Sequence, residues 1–298
     1  MVDDAQSKPV KRSLFRRILL VLGIGMGVLF LVNLLFPDLD LSMEDRVALI
    51  RIEGVILDSQ ETITELKRFA ENPYVKAIVL RIDSPGGGVV PSQEIFDAVQ
   101  RVRNKNNKAV VASMGTVAAS GGYYIAAATD RIIANPGTLT GSIGVIMETA
   151  NVEGLLKKIG VEGIVVKSGK FKDVGSPLRK MTDEEQALLQ SVMDDVHKQF
   201  IDAVAEGRAM EVDTVQALAD GRIFTGQQAK EAKLVDELGN LDDAIQLAAD
   251  IAGIEGEPKV VEPRRRFSLR ELIESRLSVI FPKLDFYSGV SFKYLMAF

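Results

Sequence analysis

Short runs of valine, isoleucine and leucine alternate with amphipathic segments from residue 47 onward, and this alternation restricts the possible folds more than any other feature of the chain. Each apolar run has the length of one strand and few polar residues, which is typical of parallel strands buried on both faces. The expected strands are residues 47–52, 77–82, 109–113, 131–134, 143–147 and 163–166. The expected helices between them are residues 62–70, 92–102, 121–128 and 152–159. The sequence therefore predicts an α/β fold with a mainly parallel sheet and flanking helices.

Helical periodicity dominates the chain after residue 180. Thr182 and Glu185 have the spacing of a capping box, so a long helix is expected over residues 182–208. Shorter helices are expected at residues 213–219, 226–232 and 241–252. We assign residues 46–254 to one domain and residues 255–298 to a linker and an amphipathic, aromatic tail. This tail is expected either to contact a membrane surface or to occupy a groove as a pseudo-substrate.

An uncharged, apolar segment at residues 18–36 is long enough to cross the ~30 Å hydrocarbon core of a membrane as one helix. Five basic residues lie in the tail 1–17, and only acidic charges occur in the linker 37–45. This asymmetry predicts a single-pass protein of the cell membrane, with its N-terminus in the cytoplasm and its domain on the periplasmic or extracellular side. A cleaved signal peptide is the alternative, but no A-x-A-like cleavage site precedes Pro37.

The chain contains no cysteine and a single histidine, His197. A disulfide, a cysteine metal site and a thiol nucleophile are therefore excluded. His197 lies in the charged stretch 194–198 and is expected at the surface, so lysine is the remaining candidate for a catalytic base. No metal or other cofactor is expected. The net charge of −5 also argues against nucleic acid as a partner.

Ser120 stands between small residues and is followed directly by Gly121. A serine in this context can expose its hydroxyl, and the next backbone N–H can point at a developing oxyanion. The helix expected from residue 121 would put the serine at a helix N-terminus, where negative charge is favoured. Taken in isolation, Ser120 is better interpreted as a plain N-cap.

Two further segments follow expected strands. Residues 83–88 contain a proline and three glycines, so their backbone N–H groups can face a bound carbonyl, although a plain loop fits the same residues. Residues 167–173 contain three lysines, which usually form a solvated surface. A lysine acts as a base only where burial lowers its pKa from ~10.4 towards ~7–8. Lys172 lies beside Phe171 and Val174, but spacing alone does not favour it over Lys170.

Four segments, taken together and in order, resemble the signal peptide peptidase A family in its short, single-domain form. They are D-S-P-G-G at 83–87, A-S-G-G-Y-Y at 119–124, L-T-G-S-I-G-V at 139–145 and S-G-K-F-K-D at 168–173. The resemblance extends over about residues 47–252. It implies a membrane-bound serine peptidase with a Clp protease/crotonase-like fold.

The resemblance also implies a role for individual residues. Ser120 corresponds to the nucleophile, Lys172 to the general base, and Ser142 to the residue that orients the lysine. The backbone N–H groups of Gly121 and Gly87 correspond to the oxyanion hole. The neighbouring Gly86 is the alternative to Gly87.

The implied substrates are apolar, extended peptides, above all the remnants of cleaved signal peptides. The resemblance further implies a ring-like homo-oligomer in which a neighbour completes each site. A related membrane peptidase that cuts a specific membrane or lipoprotein target would use the same dyad. A crotonase-like acyl-CoA enzyme would use the same glycine turns, but the membrane anchor argues against that activity. A non-catalytic scaffold would need none of these groups, and the intact serines and lysine argue against it.

Overall fold

The computed structural model describes residues 19–27, 44–263 and 293–295. The chain divides into two compact units, Met1–Glu44 and Asp45–Phe298. In the first unit, residues 19–27 form helix α1. Among the residues that the structure describes, no helix has both the length and the apolar character needed to cross a membrane. Residue 18 and residues 28–36 of the expected anchor lie outside the described residues.

The second unit alternates strands and helices, as expected from the sequence. Its strands are β1 (Arg46–Glu53), β2 (Val75–Ser84), β3 (Gly86–Gly88), β4 (Ala109–Ala119), β5 (Arg131–Ala134), β6 (Leu139–Gly141), β7 (Ile223–Thr225), β8 (Glu237–Leu238), β9 (Lys259–Val261) and β10 (Lys293–Leu295). Its helices are α2 (Gln60–Glu71), α3 (Val89–Asn106), α4 (Gly121–Ala127), α5 (Glu153–Lys158), α6 (Asp183–Arg208), α7 (Val212–Leu218), α8 (Gly226–Glu231) and α9 (Leu241–Ile251).

The main sheet has the strand order β7-β6-β4-β2-β1-β9, and β5 extends it by pairing with β4 and β8. All of these pairings are parallel except that of β6 with β7. This confirms the predicted α/β fold with a mainly parallel sheet.

Helices cover both faces of the central strands, which explains their continuous apolar runs. Successive residues of β2, among them Ile78, Val79 and Leu80, are completely buried. One face packs in the large core with α2, α3, α4 and α6. The other face packs against α9, through Ala244 and Ala248. The long helix α6 begins with the expected capping box, in which Thr182 and Glu185 bond reciprocally.

Two expected strands are absent from the described structure. Residues 143–147 form no strand, and within them only Ile146 makes an isolated bridge, to Lys293. Residues 163–166 have no secondary structure, and Ile164 and Val166 are 82% and 95% exposed. A strand needs a neighbouring backbone to pair with, and within the described part of this chain none runs alongside residues 163–166.

Parts of the segment assigned to the linker and tail contribute to the fold. The strand β9 adds a parallel edge to β1. The strand β10 pairs antiparallel with β3, and its central residue, Tyr294, is completely buried. The intervening residues 264–292 lie outside the described residues.

Candidate active site

The carboxyl ends of β2 and β4 bring together the two most informative motifs of the sequence. In the parallel register Ser84 pairs with Ala118, so the glycine segment after β2 lies beside the serine that follows β4. The crevice at the carboxyl ends of parallel strands is the usual ligand site of α/β folds. The chain's candidate nucleophile is therefore at the edge of the sheet where a substrate would bind.

Ser120 occupies a strained turn between β4 and α4. Its φ of +53° and ψ of −116° are unfavourable for a residue with a Cβ. Its backbone N–H donates to the carbonyl of Gly141 at 2.8 Å, and its carbonyl accepts from the N–H of Tyr124 at 2.8 Å. The Ser120 hydroxyl is buried and has no hydrogen-bond partner among the described residues, so it does not act as an N-cap. A strained serine that keeps its hydroxyl unpaired is typical of a nucleophile.

The two glycine segments touch through their backbones. A Cβ on Gly121 would lie 3.2 Å from the nitrogen of Gly87 and 3.3 Å from the Cα of Gly86. Conversely, a Cβ on Gly86, whose φ is +100°, would lie 2.7 Å from the nitrogen of Gly121. This contact and the positive φ of Gly86 require glycine there, and a Cβ on Gly121 would in addition lie 2.5 Å from the Ser92 hydroxyl oxygen. The contact also brings the N–H-bearing nitrogens of Gly121 and Gly87 close to each other, as an oxyanion hole requires.

Three residues that the sequence did not indicate hold the strand β3 in this position. The backbone of Ile56 accepts from Gly88 N–H at 2.8 Å and donates to Gly86 C=O at 2.9 Å. The buried Ser84 hydroxyl accepts from Gly86 N–H at 3.1 Å, and the Ser92 hydroxyl donates to Gly88 C=O at 2.8 Å. Ser84 is part of the D-S-P-G-G motif, which is the only signal that could have identified it. The contacts of Ile56 and Ser92 depend on the tertiary structure.

Ser142 follows the end of β6, just as Ser120 follows the end of the neighbouring strand β4. The strand β6 pairs with β4 so that Gly141 is opposite Ala119, and Ser142 follows directly. Ser142 has a φ of +51°, is buried, and donates its backbone N–H to Arg222 C=O at 2.8 Å. A residue that sequence alone would assign to a turn is thus adjacent to the candidate nucleophile.

Lys172 is exposed, and it differs from the two lysines beside it in its side-chain contacts. Lys167 pairs with Asp173 at 2.5 Å, and Lys170 pairs with Glu184. The Lys172 ammonium makes no hydrogen bond or ion pair with any described residue, Ser120 and Ser142 included. Among the described residues, the Lys172 ammonium therefore has no competing partner, whereas the Lys170 ammonium is held in an ion pair with Glu184.

An ion-pair network fixes the lysine segment to the start of α6. Arg179 donates to Asp173 at 2.7 Å and to Glu185 at 2.8 Å. The Arg179 guanidinium lowers the pKa of Glu185 to about 2, with help from the Thr182 N–H, and it holds the pKa of Asp173 far below its ordinary value. These carboxylates therefore remain charged at any physiological pH.

His197, expected at the surface, is half-buried in α6, and its Nε2 has no partner among the described residues. No hydrogen bond joins it to Ser120 in this part of the chain. No group of three or more histidine, aspartate and glutamate side chains with the arrangement of a metal site occurs within residues 44–263.

The strand β10 lies against the glycine segment. Lys293, Tyr294 and Leu295 pair antiparallel with Gly88, Gly87 and Gly86. On its other side, β10 exchanges two hydrogen bonds with Ile146, at 3.1 and 3.3 Å. An extended peptide thus occupies the space in front of the two glycine segments.

Comparison with known proteins identifies the family. The sequence matches the model of peptidase family S49 over residues 102–255, just over half of the chain, and that of Clp protease over residues 46–138. A Synechocystis protein named as a candidate protease is 47% identical over 223 residues, which are 74% of this chain and 79% of that protein. A candidate signal peptide peptidase SppA of Enterococcus faecium is 38% identical, over 67% of this chain and 62% of that protein. The chloroplastic serine protease SPPA of Arabidopsis thaliana is 34% identical, over 72% of this chain and 34% of that protein. The chain therefore belongs to peptidase family S49, the family of signal peptide peptidase A, and is a serine protease.

Proposed function

We propose that this serine protease is a membrane-anchored endopeptidase that cleaves apolar peptides with a Ser120–Lys172 dyad. The observation that carries the proposal is the Ser120 turn: a buried hydroxyl without a partner among the described residues, next to two touching glycine backbones. The segment order and the membership of family S49 support the same assignment.

In the proposed reaction, Ser120 Oγ attacks the peptide carbonyl carbon while neutral Lys172 Nζ takes the hydroxyl proton. The N–H groups of Gly121 and Gly87 stabilise the resulting oxyanion, and the Ser142 hydroxyl orients the lysine. The C–N bond then breaks, the lysine passes its proton to the leaving amine, and an acyl-enzyme remains on Ser120. Water attacks this ester, gives a proton to Lys172 and releases the acid product, and the lysine returns that proton to Ser120 Oγ.

We propose that the working enzyme is a homo-oligomer. In the single chain, Lys172 is exposed and makes no bond with Ser120, so a neighbouring copy is needed to enclose the lysine. The exposed apolar residues Ile164 and Val166 precede it on a stretch of backbone that pairs with no strand of the described chain. Apolar surface of this kind is typical of an interface between protein chains.

We propose signal-peptide remnants as the substrates, and a relative from Enterococcus faecium is named for this activity. A cavity next to Ile146, the residue that bridges to β10, could take apolar side chains, because most of its lining is apolar: Val145, Ile146, Met147, Met181, Leu189 and Met193, with Gln186 and Gln190 as the polar members. The proposed location is the cell membrane, held by the apolar segment 18–36, with the peptidase domain on its outer side. A specific membrane or lipoprotein target is the alternative substrate, and profiling of cleaved membrane proteins would distinguish the two.

The dyad is tested with the full-length protein in detergent and a fluorogenic apolar peptide. We expect Ser120→Ala and Lys172→Ala to lose activity by several orders of magnitude, because a serine without its base is a poor nucleophile. Lys170→Ala is the matched control, since that lysine pairs with Glu184, and it should keep most of the activity. Substantial activity in a folded Lys172→Ala protein would show that the base is misassigned.

A further inference from the structure

The edge of the sheet opposite the candidate active site carries a concentration of positive charge. The strands β1, β2 and β4 begin at this edge, and the helices α2 and α3 end there. Two cavities open between these elements and share Asn106, and the larger has a volume of about 560 Å³. Six basic side chains line the two cavities, and we call them the basic edge: Lys67, Lys76, Arg101, Arg103, Lys105 and Lys108.

The basic edge is strongly positive in a protein whose total charge is −5. The same cavities are lined by two acidic side chains, Glu71 and Asp130, which leaves an excess of four positive charges. Arg103 pairs with Asp130 at 2.7 Å. Three members form no ion pair with any residue that the structure describes: Lys67, Arg101 and Lys105. These three charges are therefore available to an anionic ligand.

The larger cavity contains two ammonium groups that repel each other. Lys76 pairs with Asp45 at 3.4 Å, whereas Lys108 donates to two backbone carbonyls, those of Phe69 at 3.0 Å and Asn72 at 2.6 Å. Burial lowers the pKa of Lys108, and the charge of Lys76 lowers it further. An anion bound between the two ammonium groups would relieve this repulsion.

The stabilisation of helix ends explains only part of this charge. Basic residues in the last turn of a helix offset the negative end of its dipole, which accounts for Arg103 and Lys105 in α3. Lys67 and Arg101 lie before the last turns of their helices, and Lys76 lies in β2. Helix dipoles therefore do not account for these three residues.

The chain enters the domain at the basic edge. Asp45 is the first residue of the second unit, and its carboxylate is the partner of Lys76. Residues 37–44 connect it to the end of the predicted membrane segment, and eight residues can extend over at most ~30 Å. This linker keeps the basic edge within reach of a lipid surface. Phosphate headgroups on that surface have the charge that complements the basic edge.

We propose that the basic edge docks on the headgroups of anionic phospholipids and that the larger cavity receives one phosphate headgroup. The inference goes beyond the proposed function, and it rests on the proposed membrane location but not on the dyad. The volume of the cavity is within the range of small-molecule sites. Each lysine or arginine near an anionic membrane surface strengthens binding about fivefold.

Docking is measured on the full-length protein in lipid vesicles. The chain has no cysteine, so a single introduced cysteine carries a fluorophore at a chosen position. Asn104→Cys puts this fluorophore on an exposed residue between Arg103 and Lys105. Gln60→Cys is the matched control, because it lies at the other end of α2, ~18 Å along the helix. The vesicles are phosphatidylcholine with or without phosphatidylglycerol, and a nitroxide on some phosphatidylcholine headgroups quenches nearby fluorophores.

We expect quenching of the Asn104→Cys fluorophore in vesicles that contain phosphatidylglycerol, and little quenching in phosphatidylcholine alone. The Gln60→Cys fluorophore should be quenched in neither. Salt at ~1 M shortens the screening length to ~3 Å and should abolish the quenching. Phosphatidylglycerol-independent quenching, or quenching that resists this salt, would overturn the proposal.

Neutralising variants test which residues carry the docking. The test variant combines substitutions at the three basic residues without ion pairs: Lys67→Gln, Arg101→Gln and Lys105→Gln. It should lower the ratio of docked to free domain about 100-fold. The control variant combines substitutions at three exposed lysines that line neither cavity: Lys158→Gln, Lys180→Gln and Lys230→Gln. It should leave the ratio nearly unchanged, and urea unfolding checks that both variants are folded. Equal quenching in the test variant and wild type would overturn the proposal.

Flotation of the protein with vesicles separates docking from the anchor. Flotation with phosphatidylglycerol vesicles alone would support the basic edge and contradict the anchor. Flotation with both kinds of vesicle, without phosphatidylglycerol-dependent quenching, would do the reverse, and flotation with neither would contradict both. Loss of quenching on addition of glycerol phosphate at constant ionic strength would mean that the cavity binds a soluble phosphate, and would overturn the assignment to lipid.

Discussion

The substitution Gly87→Ala tests the oxyanion hole at its least tolerant point. A Cβ on Gly87 would lie 2.1 Å from the carbonyl oxygen of Ile56 and 2.6 Å from its nitrogen. Real Cβ atoms essentially never approach another atom within 3.0 Å, so β3 must move by about 0.9 Å. This movement displaces the Gly87 N–H and strains the hydrogen bonds from Gly88 to Ile56 and from Ile56 to Gly86.

Two magnitudes follow. A displacement of ~1 Å in a catalytic group, or the loss of one oxyanion donor, reduces kcat about 100- to 1000-fold. Weakening two backbone hydrogen bonds costs about 2 kcal/mol of the free energy of unfolding. We therefore expect a folded but less stable enzyme with a very low kcat and a smaller change in KM.

The assay compares kcat and KM on the fluorogenic peptide with the free energy of unfolding in urea. Gly137→Ala is the matched control, because that glycine is exposed in a turn and a Cβ there meets nothing within 4 Å. It should change neither quantity appreciably. A folded Gly87→Ala enzyme with kcat within about threefold of wild type would refute the assignment of Gly87 to the oxyanion hole.

Two further predictions concern stability. Ser120→Gly and Ser120→Ala should both be inactive. The glycine variant should have a free energy of unfolding about 1 kcal/mol higher than the alanine variant, because only glycine adopts a φ of +53° without strain. Urea unfolding measures the difference, and equal stabilities would argue against backbone strain. The second concerns Glu185, whose pKa Arg179 lowers to about 2 from its ordinary 4.5. A carboxylate with a lowered pKa in the folded state stabilises fully above pH 4.5 and loses this contribution as the pH falls towards 2. Between pH 4.5 and 2, the thermal unfolding temperature of wild type should therefore fall more than that of Glu185→Gln. Glu184→Gln, which changes an exposed side chain, is the control and should follow wild type. If the unfolding temperature of Glu185→Gln fell as steeply as that of wild type, the ion pair with Arg179 would be contradicted.

The central strands could be predicted from the sequence because burial on both faces requires apolar residues at successive positions. Each face of β2 is covered, so its residues are apolar without alternation, and the run itself indicates a parallel strand. The capping box at Thr182 is also local, and the structure contains it. The wrong strand at 163–166 has suitable residues, but no strand of the described chain lies beside it. The wrong strand at 143–147 meets β10 only at Ile146, which makes an isolated bridge to Lys293. Pairing partners cannot be read from a single run of residues.

The sequence by itself determined the α/β class, the glycine segments and the residue types that can perform the chemistry. It also excluded a thiol nucleophile and made lysine the candidate base, because there is no cysteine and one histidine. The tertiary structure decided which of these groups meet. The parallel register of Ser84 with Ala118 brings Gly87 and Gly121 into contact across more than thirty residues of chain. The fold likewise buries Tyr294 in front of them, and it leaves Lys172 exposed. The local pattern of apolar residues indicates which segments are buried. Contacts between distant segments depend instead on strand order and register, which are fixed only when the whole sheet packs.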